Sequence, residues 1–223
     1  MRTQCVASTV VAFGAAAALA GPTWVPNGSF GSSSLAAQVV NASGADTDRV
    51  DLSGFGTYAA SESLGDGSMS GTLDWNAHGA FSVFEGSAGG ATGGRETHRG
   101  TTTLQFRALT GGEYTINVNF DWQGSGTEMV QAYLEIADDR GFFYTDTDMI
   151  FAAGAVSTSY TGTLVAGRRY IMTLSAAASG VDLAGEGSGG ADVVLSVVPL
   201  PSAATLAGLG LLGLGVRRRR IGL

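Results

Sequence analysis

Cysteine is almost missing from this chain: of its 223 residues only Cys5 is one. Without it, the remainder has no disulfide and no thiolate ligand, so packing alone must hold the fold. Lysine is absent, and all twelve basic residues are arginine. Proline is scarce and confined to Pro22, Pro26, Pro199 and Pro201, leaving a long stretch that proline nowhere interrupts. Histidine occurs twice, as His78 and as His98, the latter in the polar glycine-rich stretch 85–100. There is no Gly-x-Ser-x-Gly elbow and no His-Glu-x-x-His pair, and Gly185–Gly190 lacks the lysine and following helix of a phosphate loop. Sequence alone therefore predicts no enzyme. A carboxylate pair brought together by the fold, as in a secreted carbohydrate-active hydrolase, is the alternative.

The two ends carry most of the apolar runs. Arg2 precedes an apolar segment, Val6–Leu19, and Ala18-Leu19-Ala20 before Gly21 has the A-x-A form of a signal-peptide cleavage site, which assigns 1–20 to a signal peptide containing Cys5. At the other end Val198-Pro199-Leu200-Pro201 leads into an apolar run that ends at Val216, followed by Arg217, Arg218, Arg219 and Arg220. Ala203 to Val216 spans fourteen residues, about 21 Å as a helix, short of the ~30 Å hydrocarbon core. Gly208, Gly210, Gly213 and Gly215 weaken it further. As a transmembrane helix it is a marginal anchor, and the arginine block keeps its end in the cytoplasm, with the bulk of the chain across the membrane.

This order of parts resembles the PEP-CTERM sorting signal of Gram-negative bacteria, over residues 198–223, with Leu200 standing where the usual motif has glutamate. The resemblance implies delivery through the inner membrane, cleavage near Pro199–Pro201 by an exosortase-like processing enzyme, and release or attachment at the cell surface. It also implies a partner in the extracellular polysaccharide matrix, and a structural or binding role there.

Between the signals the chain keeps seven arginines and all nineteen acids, a net charge of −12. So acidic a segment repels nucleic acid and anionic headgroups. After a leader over 21–34, with Trp24 as a tether, the domain 35–197 reads as short strands separated by glycine turns. The strands fall near Ala36–Asn41, Arg49–Ala59, Ser68–Trp75, Ala80–Phe84, Thr102–Ala108, Glu113–Trp122, Met129–Ala137, Thr158–Leu164, Arg169–Ala176 and Asp192–Val198. The stretches 85–100 and 179–191 read as long polar loops.

A weak repeat supports this reading: Leu109-Thr110-Gly111-Gly112-Glu113-Tyr114-Thr115-Ile116 is answered by Val165-Ala166-Gly167-Arg168-Arg169-Tyr170-Ile171-Met172. Alternation places Tyr114, Ile116, Val118 and Phe120, and likewise Tyr170, Met172 and Leu174, toward a core. Each copy reads as a strand–turn–strand hairpin. The unit is similar to those of secreted β-sandwich proteins, including carbohydrate-binding modules, and implies fold class alone. The fold class expected is all-β, a jelly-roll-like antiparallel β-sandwich.

Two constellations carry chemistry. Asp138, Asp139, Asp146 and Asp148 flank an aromatic turn, and hard oxygen ligands of this kind suit calcium; Asp46, Asp48 and Asp51 form a second acidic set. Solvated acidic turns that blunt sheet edges are the preferred reading of both sets. Phe142, Phe143 and Tyr144 cannot all face one core, which marks them as candidate glycan contacts. Trp75 and Trp122 are further aromatics of that kind, although the parity of Trp122 with Phe120 points it inward.

Overall fold

In the computed structural model, which describes residues 23–27, 32–90, 94–140, 143–151 and 154–196, every regular element is a β-strand. The strands are β1 (Trp24–Pro26), β2 (Ser33–Asn41), β3 (Gly44–Leu52), β4 (Gly56–Leu64), β5 (Gly67–Trp75), β6 (Gly79–Gly89) and β7 (Arg95–Ala108). They continue as β8 (Gly112–Gln123), β9 (Thr127–Asp138), β10 (Phe143–Phe151), β11 (Gly154–Leu164), β12 (Arg169–Val181) and β13 (Ala184–Ser196). Two antiparallel sheets form the expected sandwich. Sheet A has the order β10-β9-β12-β7-β2-β3 with β1 added to β7, and sheet B the order β11-β8-β13-β6-β5-β4.

Alternation sets the core. Tyr114, Ile116, Val118, Phe120 and Trp122 of β8 are all buried, as are Tyr170, Met172 and Leu174 of β12. Each fully buried large side chain contributes roughly 1.5–3 kcal/mol by leaving water. Trp24, Trp75 and Trp122 are sealed in the same core. Trp24 is therefore more than a tether. Its ring lies 4.4 Å from Phe106, its indole N–H donates to the Asn76 carbonyl, and β1 pairs with the end of β7. The sandwich thus begins at Trp24, inside the stretch read as a leader.

The repeat is real but its units are not hairpins. β7 and β8 lie in different sheets, and so do β11 and β12, so each copy is an arch that crosses the sandwich. The arches stack, β7 against β12 and β8 against β11, and their registers are interchangeable. Phe106 faces Tyr170 in one sheet where Gly162 faces Tyr114 in the other, and Leu104–Met172 answers Tyr160–Ile116. An offset of 56 positions carries each of these pairs onto its counterpart, the signature of a pseudo-two-fold axis between the arches. The second arch turns on Gly167, whose φ of +82° an L side chain rarely adopts.

The stretches read as glycine loops are strands. β6 and β7 consume most of 85–100, and β12 and β13 most of 179–191. The reading failed because several of these glycines face inward and make room for rings instead of turning the chain. The Trp122 ring lies against Gly86 and Gly187, and Phe84 lies between Gly71 and Gly100. The stretch Arg49–Ala59, read as one strand, is broken by a turn between β3 and β4, which places its halves in opposite sheets.

Connections gather at two poles. At one, Trp24 enters and Ser196 leaves, beside the β5–β6, β7–β8, β9–β10 and β11–β12 turns; the β4–β5, β8–β9 and β12–β13 turns lie at the other.

Candidate functional site

A trough on the outer face of sheet B

Because side chains alternate along each strand, the register of sheet B fixes which residues meet on its outer face. One cross-strand row reads Asp121 (β8), Ser188 (β13), Glu85 (β6) and Ser70 (β5). The next row toward the far pole reads Gln123, Glu186, Ser87 and Ser68. Together they line an open trough of about 780 Å³, within the range of small-molecule sites. The trough continues along the strands into a second depression of about 500 Å³, sharing Glu85, Asp121 and Ser188 and reaching Asn119, Asp192 and Phe81.

The walls are hydrogen-bonding groups on short stems. Ser68 and Ser87 hydroxyls pair at 2.8 Å, and the Gln123 amide donates to Asp121 Oδ2 at 2.9 Å. Asp121 Oδ1 is shut off from water and has no hydrogen-bond partner. The floor is low because Gly86 and Gly187 have no side chain, and Trp122 packs directly beneath them. At the far end of the second depression Phe81 is 52% exposed, the most exposed large apolar side chain among the described residues, with Val194 close by.

Both sheets carry acids, but positive charge is confined to one of them. The strands of sheet B carry Glu62, Asp74, Glu85, Glu113, Asp121, Glu186 and Asp192 and no arginine, lysine or histidine. Arginines of the strands lie in sheet A, at Arg49, Arg95, Arg99, Arg107 and Arg169.

Placement of the residues expected from sequence

Asp138 ends β9 and Asp139 opens the turn after it, where arginines take both up. Asp138 Oδ2 accepts from Arg168 at 2.9 Å and from Arg140 at 3.1 Å, and Asp139 lies 3.7 Å from both Arg168 and Arg169. This network joins the β9–β10 and β11–β12 turns. Asp146 and Asp148 lie on β10, opposite Leu134 and Ala132. Those partners are four and six residues back along β9 from Asp138, about 13 and 20 Å of strand. The backbone does not bring the two acid pairs together. Among the described residues, no three of His, Asp and Glu are placed to share a metal ion.

Phe143 and Tyr144 begin β10, a strand absent from the sequence reading, and pair with Ala137 and Ile136; Phe142 lies outside the described residues. So do Ala18, Ala20 and Gly21, Val198, Pro199, Leu200 and Pro201, and Arg217 to Arg220. Among the described residues no helix is long and apolar enough to cross a membrane. The second acidic set edges sheet A. Asp48 accepts the Ser61 amide of β4 at 2.8 Å, tying the two sheets along one side, while Asp51 pairs with Arg49.

His98 is not in a loop. It is fully buried on the inner face of β7, its Nδ1 3.2 Å from the Ser68 carbonyl and its Nε2 3.7 Å from Glu96, itself only 2% exposed. Its ring lies 5.3 Å from Trp122, beneath the trough. Burial holds this imidazole below its ordinary pKa, against the opposing pull of the Ser68 carbonyl and Glu96.

Sequence reasoning missed Phe81. In Ala80-Phe81-Ser82-Val83-Phe84-Glu85 both parities carry an aromatic, so alternation alone does not say which faces out. The signal lies in Ala80 and Ser82, which share the parity of the buried Phe84 and leave Phe81 with Glu85.

Comparisons with known proteins

No family model and no curated protein matches the sequence. Among solved structures the chain is similar to the enzymatically active domain of tailspike protein 4 from bacteriophage CBA120, at 11% identity and a TM-score of 0.32, covering 63% of this chain and 19% of that one. The chain thus spans about a fifth of the tailspike's length. It is also similar to TmCBM61, solved with β-1,4-galactotriose, at 11% identity and a TM-score of 0.31, covering 63% and 88%. A third likeness is to CBM35 of Cellvibrio japonicus Abf62, at 15% identity and a TM-score of 0.25, covering 51% and 75%. Likenesses this distant say nothing about a ligand.

Proposed function

We propose that this chain is an exported β-sandwich that binds polysaccharide in the outer trough of sheet B, at the cell surface or in the surrounding matrix, without catalytic turnover. The trough carries the proposal. A groove of this volume, floored by glycine and serine and walled by carboxylates and an amide, suits a ligand that presents many hydroxyls. Sugar hydroxyls donate well to carboxylates, and such charge-assisted bonds are the stronger kind. The end segments support export: a signal peptide over 1–20, and a C-terminal tag of Val198-Pro199-Leu200-Pro201, apolar run and Arg217–Arg220 to be read by an exosortase-like enzyme.

Two measurements test this. A glycan array probed with the full-length chain should show binding that substitutions at Glu85 and Glu186 weaken, with no shortening of the bound glycans. A blank array overturns the binding role, and cleavage products overturn the absence of turnover. Mass spectrometry of the exported protein from its native cell should find a C-terminus near Pro199–Pro201. An intact Arg217–Arg220 block on exported protein overturns the processing model.

A further inference from the structure

We infer that the ligand of the trough is an electrically neutral sugar chain, lying along the strands with one unit against Asp121 and another over the ring of Phe81. This rests on the polysaccharide-binding reading above and specifies the class of polysaccharide. Three observations lead to it. First, Asp121 lines both depressions, with its Oδ2 held in place by the Gln123 amide. A carboxylate at the junction of the two depressions accepts well from sugar hydroxyls. Second, the trough and its continuation bring Glu85, Asp121, Glu186 and Asp192 to one groove, and the strands of sheet B offer no cation. A uronate or sulfated chain would set its own charges among four carboxylates with nothing to neutralise them, and like charges at such range repel by an amount that salt reduces but does not remove. Third, Phe81 and Val194 stand exposed at the end of the groove. An apolar sugar face covers such a ring, whereas a small cation or a polyamine would gain little from that combination.

From Gln123 and Glu186 to Phe81 and Asp192 the groove follows six residues of strand, about 20 Å. The ligand is therefore an oligosaccharide or a stretch within a polymer, and free monosaccharides bind weakly. Trp122, against the floor at Gly86 and Gly187, reports on the acidic end of the groove, and Trp75, paired with Ala80, on the Phe81 end.

The test is calorimetric titration of the full-length chain with three sets of oligosaccharides: neutral hexose and N-acetylhexosamine oligomers, uronate oligomers, and de-N-acetylated, cationic amino-sugar oligomers. The expected result is binding of at least one neutral set, accompanied by a change in tryptophan fluorescence, and no binding of uronates. Phe81→Ala and Asp121→Ala should each weaken that binding about tenfold. Phe81 is exposed, so its variant keeps the fold and isolates the contact. Uronate binding as tight as neutral binding overturns the inference, and so does neutral binding untouched by both substitutions. Binding of amino-sugar oligomers alone, abolished by salt, overturns neutrality while leaving polysaccharide binding intact. Failure of all three sets overturns the polysaccharide reading itself.

Discussion

Replacing Gly100 by alanine adds one methyl group to the middle of the sandwich. Its Cβ would sit 2.1 Å from Phe84 Cδ1 and 2.4 Å from Cγ, where ordinary contact begins near 3.4 Å. The ring would have to retreat by more than 1 Å. It has little room to do so: Phe84 is fully buried, with its ring already lying close over Gly71 of the neighbouring strand. Overpacking of this kind costs about 1–3 kcal/mol, and the confinement puts Gly100→Ala at the upper end. Against this, removing a glycine from a strand recovers about 0.5–1 kcal/mol of backbone entropy. Steric conflict wins, by roughly 2 kcal/mol. In a domain of this size that lowers Tm by about 4–8 °C. Urea unfolding, followed by tryptophan fluorescence, should show a lower midpoint with an unchanged slope. The double variant Gly100→Ala with Phe84→Leu should be more stable than the sum of its parts, by about 1 kcal/mol of coupling. A Gly100→Ala protein as stable as the parent, or additive behaviour in the pair, would refute the account of inward glycines as seats for rings.

Two further outcomes follow from buried charge. Because burial lowers the pKa of His98 in the folded state, the unfolded chain binds its proton first. The stability this residue contributes is complete above about pH 6.5 and declines as pH falls from there toward the folded pKa. Unfolding midpoints between pH 8 and pH 5 should show that decline, and His98→Gln should flatten it; an unaltered slope in the variant would assign the effect to other groups. Asp138, its side chain 6% exposed and bonded to Arg140 and Arg168, clamps two turns. Asp138→Ala should cost about 1–3 kcal/mol, measurable in the same urea titration, and a neutral result would reduce the network to surface decoration.

Strand order and pairing were out of reach of the sequence, but the inward face of the longer strands was not. Tyr114 to Trp122 and Tyr170 to Leu174 alternate cleanly because one face of each is apolar, and a one-residue slip would invert them. Ends of strands rich in Gly, Ser and Ala were misread as loops. At Gly86, Gly100 and Gly187 the missing side chain belongs to the packing of Phe84 and Trp122, a partnership between strands that no local pattern displays. Arches and hairpins read alike in sequence for a related reason: a short glycine turn looks the same whether it returns the chain to its own sheet or sends it across. For the trough, composition foretold acidity but not its position, because Asp121, Glu186 and Glu85 come from three strands far apart in sequence. The carboxylates that did cluster in sequence, Asp138 and Asp139, are engaged by arginines of another turn.

Entry and exit of the chain at one pole has a geometric consequence. Along β13 the chain runs from Glu186 in the trough to Ser196, its last described residue, in ten residues, about 33 Å of strand. In a chain held by its C-terminus, the acidic half of the groove stands that far from the point of attachment, with the Phe81 end nearer to it. A sugar polymer lying along the strands would then run outward, upright to the surface that holds the protein. Many such molecules side by side would comb the chains of a matrix into a brush, where a groove running across the strands would press them flat.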